Sequence, residues 1–385
     1  MTIMHVRGFC VSAILSTLVI VLGCAPAGPE EAGSGQVMME GDGPPMHRVD
    51  AFWPKDLPNN WLIGQVSGVA IDSQDHIWIV QRPGSLEAGE YGATTDPPTA
   101  ECCAPAPPVI EFDAEGNVVS SWGGPGEGYE WPDTEHGIFV DHMDNVWVGG
   151  NGGPDHQVLK FSRDGTFLMK IGQKGMNEGS NSTQYLGRPA DFYVDPETNE
   201  IYIADGYLNK RVIVFDADTG EYRRHWGAYG NEPSDDDIGG FDPDAPGAQQ
   251  FRSPVHCVRI ANDGLVYVCD RGNNRIQVFQ KDGTYVDEVF IARRTFGAGS
   301  TWDVDLSPDQ VFLYDADGTN QKIWMLMRES LEIMGSFGRH GRNAGQFHWV
   351  HNLAVDSQGN IYTAEVSLGR RVQKFAYQGR ASTTD

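Results

Sequence analysis

The chain has 385 residues, with 53 Asp or Glu against 28 Lys or Arg, and a formal net charge of −25. Such an excess of carboxylates repels a phosphate backbone, so nucleic acid is excluded as the expected partner. The length suits either two average domains or one large all-β domain.

The first predicted element is a secretory signal. Arg7 precedes a short apolar run that ends at Leu22, and Gly23 and Cys24 follow it. This order is typical of a signal peptide, and the run is shorter than the roughly 20 apolar residues of a membrane helix. The four residues Val21 to Cys24 resemble the lipobox of bacterial lipoproteins. We therefore expect residues 1–24 to be a lipoprotein signal with Cys24 lipidated; an ordinary cleaved signal with an incidental cysteine is the alternative.

The segment after the signal is predicted to be a tether. Residues 25–45 are rich in Gly, Pro, Ala and Glu, a composition that cannot bury a core. Together with the signal, it predicts an exported protein that is held by lipid in the bacterial cell envelope, at the outer membrane, in the periplasm or at the cell surface. Contact with the membrane is expected through the anchor only.

Internal repetition governs the rest of the chain. Six β-rich segments share one pattern: SGVAID, HGIFVD, ADFYVD, HCVRIA, WDVDLS and HNLAVD. After a turn, each is followed by a second run: HIWIVQ, NVWVGG, EIYIAD, LVYVCD, QVFLYD and NIYTAE. Third and fourth runs follow in most repeats. Four short strands per repeat, joined by tight turns, predict an all-β fold, a six-bladed β-propeller over residues 46–380. Residues 46–53 are expected to supply the outer strand of the last blade.

One position in the first strand carries histidine in every second repeat. Its occupants are Ser67, His136, Ala190, His256, Trp302 and His351. Since the first strand of each blade lines the central channel, the three imidazoles should meet at one height on the axis. Three neutral histidines with an open fourth position form the arrangement of a catalytic zinc site. The alternative is that these histidines serve packing alone.

Two arginines and a tyrosine follow the second strands. Arg82 and Arg271 occupy the same repeat position in blades one and four, and Tyr207 lies one position further on in blade three. A guanidinium can bind a carboxylate through two hydrogen bonds, and a tyrosine can take a proton. The pattern predicts a small-molecule or peptide substrate with a carboxylate. Solvated cations or ion pairs between blades are the alternative for each arginine.

The cysteines leave their pairing open. Cys257 and Cys269 flank a predicted turn and should lie opposite each other in a hairpin, either as a disulfide or as two buried thiols. Cys102 and Cys103 are adjacent, within a Pro-rich insertion. Neither pair has the spacing of a structural zinc site.

Longer motifs show a resemblance to known families. The stretches RPADFYVDPETNEIYIADGYLNKRVIVF and QFRSPVHCVRIANDGLVYVCDRGNNRIQVF resemble NHL repeats. GQVSGVAID, EHGIFVD, ADGYLNKR, CDRGNNR and VHNLAVD resemble peptidyl-α-hydroxyglycine α-amidating lyase, the lyase domain of peptidylglycine α-amidating enzymes. That family is a six-bladed propeller that holds zinc through three histidines and cleaves an α-hydroxyglycine into an amide and glyoxylate. The resemblance implies zinc at His136, His256 and His351, Tyr207 as general base, and Arg82 and Arg271 as active-site arginines.

The same resemblance implies a calcium site, with one departure. The family holds a structural calcium through two backbone carbonyls and an Asp directly after the last zinc ligand. The matching positions here are Val66, Ile138 and Asn352, so an amide replaces the carboxylate. Calcium accepts amide oxygens, but this ligand brings less charge. The cysteines of the family's disulfide are not matched either, since Leu208 follows Tyr207.

The expected function is that of a zinc-dependent lyase that cleaves an N-acyl-α-hydroxyglycine. Two other readings stay open. One is a non-catalytic NHL propeller that acts as a binding or interaction module of the cell envelope, because propellers host unrelated functions. The other is a gluconolactonase-like hydrolase, whose chemistry rests on calcium held by carboxylates and Asn, whereas this chain offers histidines.

Overall fold

The structure, a computed structural model, describes residues 41–382. The predicted signal, Cys24 and most of the tether lie outside these residues. Strands come first in this order: β1 (Pro45–Asp50), β2 (Trp61–Leu62), β3 (Gln65–Ile71), β4 (Ile77–Arg82), β5 (Ala104–Pro105), β6 (Val109–Phe112) and β7 (Val118–Trp122). Blade one is the antiparallel sheet β3-β4-β6-β7, and β2 pairs with β5 in a small parallel sheet.

The next blades each consist of four consecutive antiparallel strands. Blade two contains β8 (Glu135–Val140), β9 (Val146–Gly150), β10 (Gln157–Phe161) and β11 (Phe167–Gly172). Blade three contains β12 (Asp191–Asp195), β13 (Glu200–Asp205), β14 (Arg211–Asp216) and β15 (Tyr222–Trp226). Blade four contains β16 (Val255–Ile260), β17 (Val266–Asp270), β18 (Arg275–Phe279) and β19 (Tyr285–Phe290). Blade five contains β20 (Asp303–Leu306), β21 (Phe312–Asp317), β22 (Lys322–Met327) and β23 (Ile333–Phe337).

Blade six closes the ring. It contains β24 (Val350–Val355), β25 (Ile361–Glu365) and β26 (Arg371–Arg380), and its outer strand is β1 from the other end of the described chain. His47 pairs with Tyr377 and Val49 with Phe375. The all-β, six-bladed propeller predicted from the repeat is confirmed, including the outer strand supplied by the start of the propeller.

Helical structure in the described residues is limited to short 3-10 turns. They are Pro58–Asn60, Pro83–Ser85, Ala88–Glu90, Gly92–Thr94, Ala228–Gly230 and Arg271–Asn273. Within residues 41–382, no helix has the length and hydropathy to cross a membrane.

The Asp that ends the first strand explains why the repeat folds in this way. In blade one, the Asp72 carboxylate accepts the backbone N–H of His76 at 2.9 Å and the Trp78 Nε1–H at 3.0 Å. In blade two, Asp141 accepts the Trp147 Nε1–H at 2.9 Å. Both tryptophans are fully buried. The carboxylate therefore accepts hydrogen bonds from the backbone of the turn and from the indole of the second strand.

Both cysteine pairs form disulfides. Cys257 and Cys269 are direct partners in the ladder between β16 and β17, and both are fully buried. The disulfide thus ties the inner strand that carries His256 to its neighbour. Cys102 and Cys103 are bonded to each other in the insertion between β4 and β6.

Candidate metal centre

Three histidines meet on the axis of the propeller. His136, His256 and His351 lie near the starts of the inner strands β8, β16 and β24. Their ring centroids are 4.6 to 5.0 Å apart, and one ligand nitrogen from each lies within 4.8 Å of the others. All three side chains are buried. The group can therefore hold a metal ion, as the alternation of histidines in the sequence suggests.

Hydrogen bonds to the alternate blades orient the three rings. His136 Nδ1 lies 2.7 Å from the Ala190 carbonyl oxygen, and His351 Nδ1 lies 2.7 Å from the Ser67 carbonyl oxygen. His256 Nδ1 makes the same bond to the Trp302 carbonyl oxygen. Each acceptor residue belongs to the next blade, where it occupies the repeat position that histidine holds in the donor blade.

These bonds leave the second ring nitrogen free to bind a metal. Because a carbonyl oxygen only accepts, each Nδ1 carries the proton and each Nε2 keeps its lone pair. Burial lowers the pKa of all three histidines; the charge of Arg271 lowers it further in all three, and that of Arg82 in His136 and His351. The rings are therefore neutral at pH 7. Neutral, fixed imidazoles fit the zinc that the family resemblance implies.

A repeated ion pair fixes the loops beside the histidines. Asp205 at the end of β13 pairs with Arg211 at 2.9 Å, and Asp270 at the end of β17 pairs with Arg275 at 2.8 Å. All four side chains are fully buried. In the first loop, a Cβ on Gly206 would lie only 1.9 Å from the Val255 carbonyl oxygen, so glycine alone permits this close approach.

Tyr207 projects from the first of these loops into the histidine group. Its Oη lies 2.8 Å from His136 Nε2 and 3.1 Å from His256 Nε2. Arg271, from the second loop, donates through Nη1 to Tyr207 Oη at 3.4 Å and stacks on Trp302 with its Cζ 4.2 Å from the ring centroid. The tyrosine and this arginine thus come together with the predicted ligands.

Arg82 approaches from blade one and bounds a cavity. Its Nε donates to the Glu135 carbonyl oxygen at 2.7 Å, and its Nη1 donates to Gln65 Oε1 at 2.9 Å. The adjoining cavity has a volume of about 540 Å³ and is lined by prolines, Trp131 and polar side chains. Glu135, the residue before His136, also borders the cavity, which has room for part of a substrate.

Sequence reasoning missed a third arginine, Arg188. It lies just before β12 with a φ of 59°, and its Nε donates to the Asn151 carbonyl oxygen at 2.7 Å. Its guanidinium lies over the ring of Tyr207, with Cζ 5.7 Å from the centroid. Arg188 stands outside the repeat position shared by the other two arginines, so the repeat offered no signal for it.

The side chain of Asn352, at the predicted calcium position, forms hydrogen bonds to two neighbouring blades. Its Oδ1 accepts the Val69 N–H at 2.6 Å, and its Nδ2 donates to the Asp303 carboxylate. The two partners fix the orientation of the amide, because one must donate and the other must accept. Val66 and Ile138 lie on the neighbouring inner strands β3 and β8. A calcium ion there stays a prediction.

A second group of possible ligands, in blade one, is already neutralised by an arginine. Asp72, His76 and Glu111 lie close enough to share an ion. Arg163 forms salt bridges to both carboxylates, at 2.7 Å from Asp72 and closer to Glu111, and His76 Nδ1 lies 2.6 Å from Glu111. The guanidinium therefore supplies the positive charge that a metal would bring.

Comparison with known proteins points to two groups of relatives. The NHL repeat family matches residues 255–279. The chain is 25% identical over 353 residues to peptidyl-glycine alpha-amidating monooxygenase B of Xenopus laevis, a match that covers 85% of this chain and 35% of that protein. It is 27% identical over 220 residues to a probable peptidyl-alpha-hydroxyglycine alpha-amidating lyase of Caenorhabditis elegans, covering 56% of each. The chain thus spans about a third of the length of the frog relative.

The second group of relatives has a name that states no reaction. The chain is 29% identical over 348 residues to NHL repeat-containing protein 3 of Homo sapiens, covering 86% of this chain and 84% of that protein. Among solved structures, a streptogramin B lyase superposes with a TM-score of 0.51 at 12% identity, over 86% of this chain and 98% of that one. This likeness supports the fold alone.

Fold and site together define a six-bladed β-propeller with an NHL repeat and a three-histidine group on its axis. Among named proteins, it resembles the peptidyl-α-hydroxyglycine α-amidating lyases and the amidating monooxygenases.

Proposed function

We propose that this protein is a zinc-dependent lyase that cleaves the C–N bond of an N-acyl-α-hydroxyglycine and releases a primary amide and glyoxylate. One observation carries the proposal: the Nε2 atoms of three neutral histidines converge, with Tyr207 Oη at 2.8 Å from His136 Nε2 and 3.1 Å from His256 Nε2. The similarity to curated amidating lyases supports the reaction class.

The residues around the histidines suit the proton movements of this reaction. Zinc, when bound, supplies a Lewis acid that favours ionisation of the substrate hydroxyl. Tyr207 enters the reaction as the phenolate and takes the hydroxyl proton at Oη, and the electron pair of the O–H bond forms the aldehyde C=O as the C–N bond breaks. The departing amide nitrogen takes the proton back from Tyr207. That transfer regenerates the phenolate, and Arg271, 3.4 Å from Oη, stabilises its negative charge before the first proton transfer and after the second.

Two other features suit the substrate. A guanidinium can hold the carboxylate of the hydroxyglycine through two hydrogen bonds, and Arg271 is placed for this beside Tyr207. The cavity of about 540 Å³ beside Arg82 can take the more distant part of a peptide substrate.

The test is bound metal together with glyoxylate release. The protein without its first 40 residues should contain about one zinc ion per chain and should release glyoxylate from α-hydroxyhippurate. His136→Ala should lose both the metal and the activity. His340→Ala, outside the axial group, serves as the control and should lose neither. A wild-type protein that binds no zinc after reconstitution would overturn the proposal.

A binding module of the cell envelope is the second candidate, and the match to NHL repeat-containing protein 3 favours it. This candidate requires the axial histidines to be dispensable. Binding of a partner that is unchanged in His136→Ala, together with zinc-free wild-type protein, would favour it over the lyase.

We also propose export and lipid anchoring through Cys24. Two disulfides among the described residues support export, because such bonds persist in oxidising compartments. Cys24→Ser should abolish labelling by a fatty-acid probe and release the protein from the membrane fraction. Membrane association that persists in this variant would contradict the anchor.

A further inference from the structure

Three arginines around Tyr207 have no carboxylate partner. Arg82, Arg188 and Arg271 form no salt bridge within residues 41–382; their described hydrogen bonds go to carbonyl, amide and phenol oxygens. This is unusual in a chain with a net charge of −25. By contrast, the buried Arg211 and Arg275 next to the same loops are each paired with an Asp. The positive charge at the site is therefore left for a ligand.

Arg188 is held in place but keeps its terminal nitrogens free. Its carbonyl oxygen accepts the Tyr207 N–H at 3.2 Å, and its Nε is tied to Asn151. Its left-handed φ of 59° is unfavourable for a residue with a side chain, so the surrounding contacts must impose it. No hydrogen bond to Nη1 or Nη2 occurs within residues 41–382.

The two sides of Tyr207 are thus both cationic. Arg271 lies on the blade-four side with its Cζ 5.6 Å from the ring centroid, and Arg188 lies on the blade-two side at 5.7 Å. Arg271 also has a buried Nε without a hydrogen-bond partner. One carboxylate is satisfied by one guanidinium fork. The hydroxyglycine carboxylate therefore accounts for Arg271, and Arg82 lies in the field of the Glu135 carboxylate, so Arg188 is left without an anion.

We propose that Arg188 binds a second anionic group, so that the substrates are N-acyl-α-hydroxyglycines whose acyl part carries a carboxylate, such as a dicarboxylic acid or an acidic residue. This inference rests on the lyase function proposed above. Arg188 selects the substrate and takes no part in breaking the C–N bond.

The test compares two substrates of equal shape. N-succinyl-α-hydroxyglycine carries the second carboxylate, and its succinamoyl analogue replaces that carboxylate by a neutral amide. Wild-type protein should show a kcat/KM about tenfold to a hundredfold higher for the acidic substrate, the range expected for a charge-assisted hydrogen bond. Arg188→Gln should bring this ratio to about one, and Arg188→Lys should keep part of it.

The control is Arg223→Gln on β15 of the same blade, a partly exposed arginine paired with Asp216. It should keep both the ratio and the activity. Equal kcat/KM for the two substrates in wild-type protein overturns the inference and leaves the lyase intact. The same holds for an Arg188→Gln variant that loses activity but keeps the ratio. No glyoxylate from either substrate, with zinc bound, overturns the lyase function and this inference with it.

Discussion

Two neighbouring levels of the central channel, here called the histidine end and the carboxylate end, treat charge in opposite ways. At the histidine end lie the three histidines and three arginines that form no salt bridge among the described residues. At the carboxylate end, which begins one residue further along the inner strands, Arg259 lies among Asp191, Asp303 and Asp305, with its Nε 3.6 Å from Asp305 and its Nη2 4.0 Å from Asp303.

Hydrogen bonds join neighbouring blades at the carboxylate end, while Asp303 Oδ1 is buried there without a hydrogen-bond partner among the described residues. Asp191 accepts the Val258 N–H at 3.1 Å, Asp303 accepts the Leu353 N–H at 2.9 Å, and Asp305 accepts the Val355 N–H at 2.9 Å. Each bond joins one blade to the next. This carboxylate end therefore holds the blades together, whereas the histidine end keeps its charges free for a ligand.

The largest expected effect is at the histidine end. Tyr207→Phe removes the oxygen that takes the proton, so kcat should fall about 10²- to 10⁴-fold. Zinc content should stay at the wild-type value, because the three histidines keep their hydrogen bonds to backbone carbonyls. Glyoxylate release and elemental analysis on the same preparation measure both. Undiminished turnover would remove Tyr207 from the reaction.

At the carboxylate end, the expected effect is on stability. Arg259→Met leaves three buried carboxyl groups without their cation, which should lower the free energy of unfolding by about 3–5 kcal/mol. Arg328→Met is the matched control, since its pair with Asp263 is partly exposed and is expected to contribute less than about 1 kcal/mol. Urea denaturation of both variants measures the difference. Equal losses would mean that the buried network contributes no more than a surface pair.

The contrast between the two ends also marks what the sequence can predict. The axial histidines were predictable because one repeat position fixes one height in the channel. The closing strand β1 could be predicted from the same pattern of four strands in each repeat. The carbonyl oxygens of Ala190, Ser67 and Trp302 could not be predicted as partners of the histidines, because these contacts depend on how neighbouring blades are offset.

Arg188 and the Arg259 network escaped prediction for similar reasons. The place of Arg188 depends on a left-handed backbone before β12, and that of Arg259 depends on carboxylates from two other blades. The Cys257–Cys269 bond stayed open because spacing alone does not distinguish a disulfide from two buried thiols. Contacts between blades thus carry the information that a single repeat does not hold.

A smaller effect should appear as a pH dependence of the Arg259→Met loss. Burial raises the pKa of Asp191 and Asp305, and the charge of Arg259 lowers it. Without Arg259, both pKa values rise further. A carboxyl group whose pKa is higher in the folded state binds more protons there, so stability falls as pH rises through that range.

The loss caused by Arg259→Met should therefore be larger at about pH 8 than at about pH 5.5. Urea denaturation of wild type and variant at both values gives the comparison. A loss that is independent of pH would mean that packing of the side chain, and not its charge, is what the variant removes.

The smallest effect is expected from calcium. Asn352 already has a donor at its oxygen and an acceptor at its nitrogen, and Arg259 supplies positive charge to the neighbouring Asp303. A calcium-selective chelator should therefore leave the melting temperature of the wild-type protein unchanged. In Asn352→Asp, a second carboxylate faces Asp303, so added calcium should raise the melting temperature of that variant alone. A calcium response in the wild-type protein would show that the carboxylate end also keeps room for a ligand, and the contrast between the two ends would no longer hold.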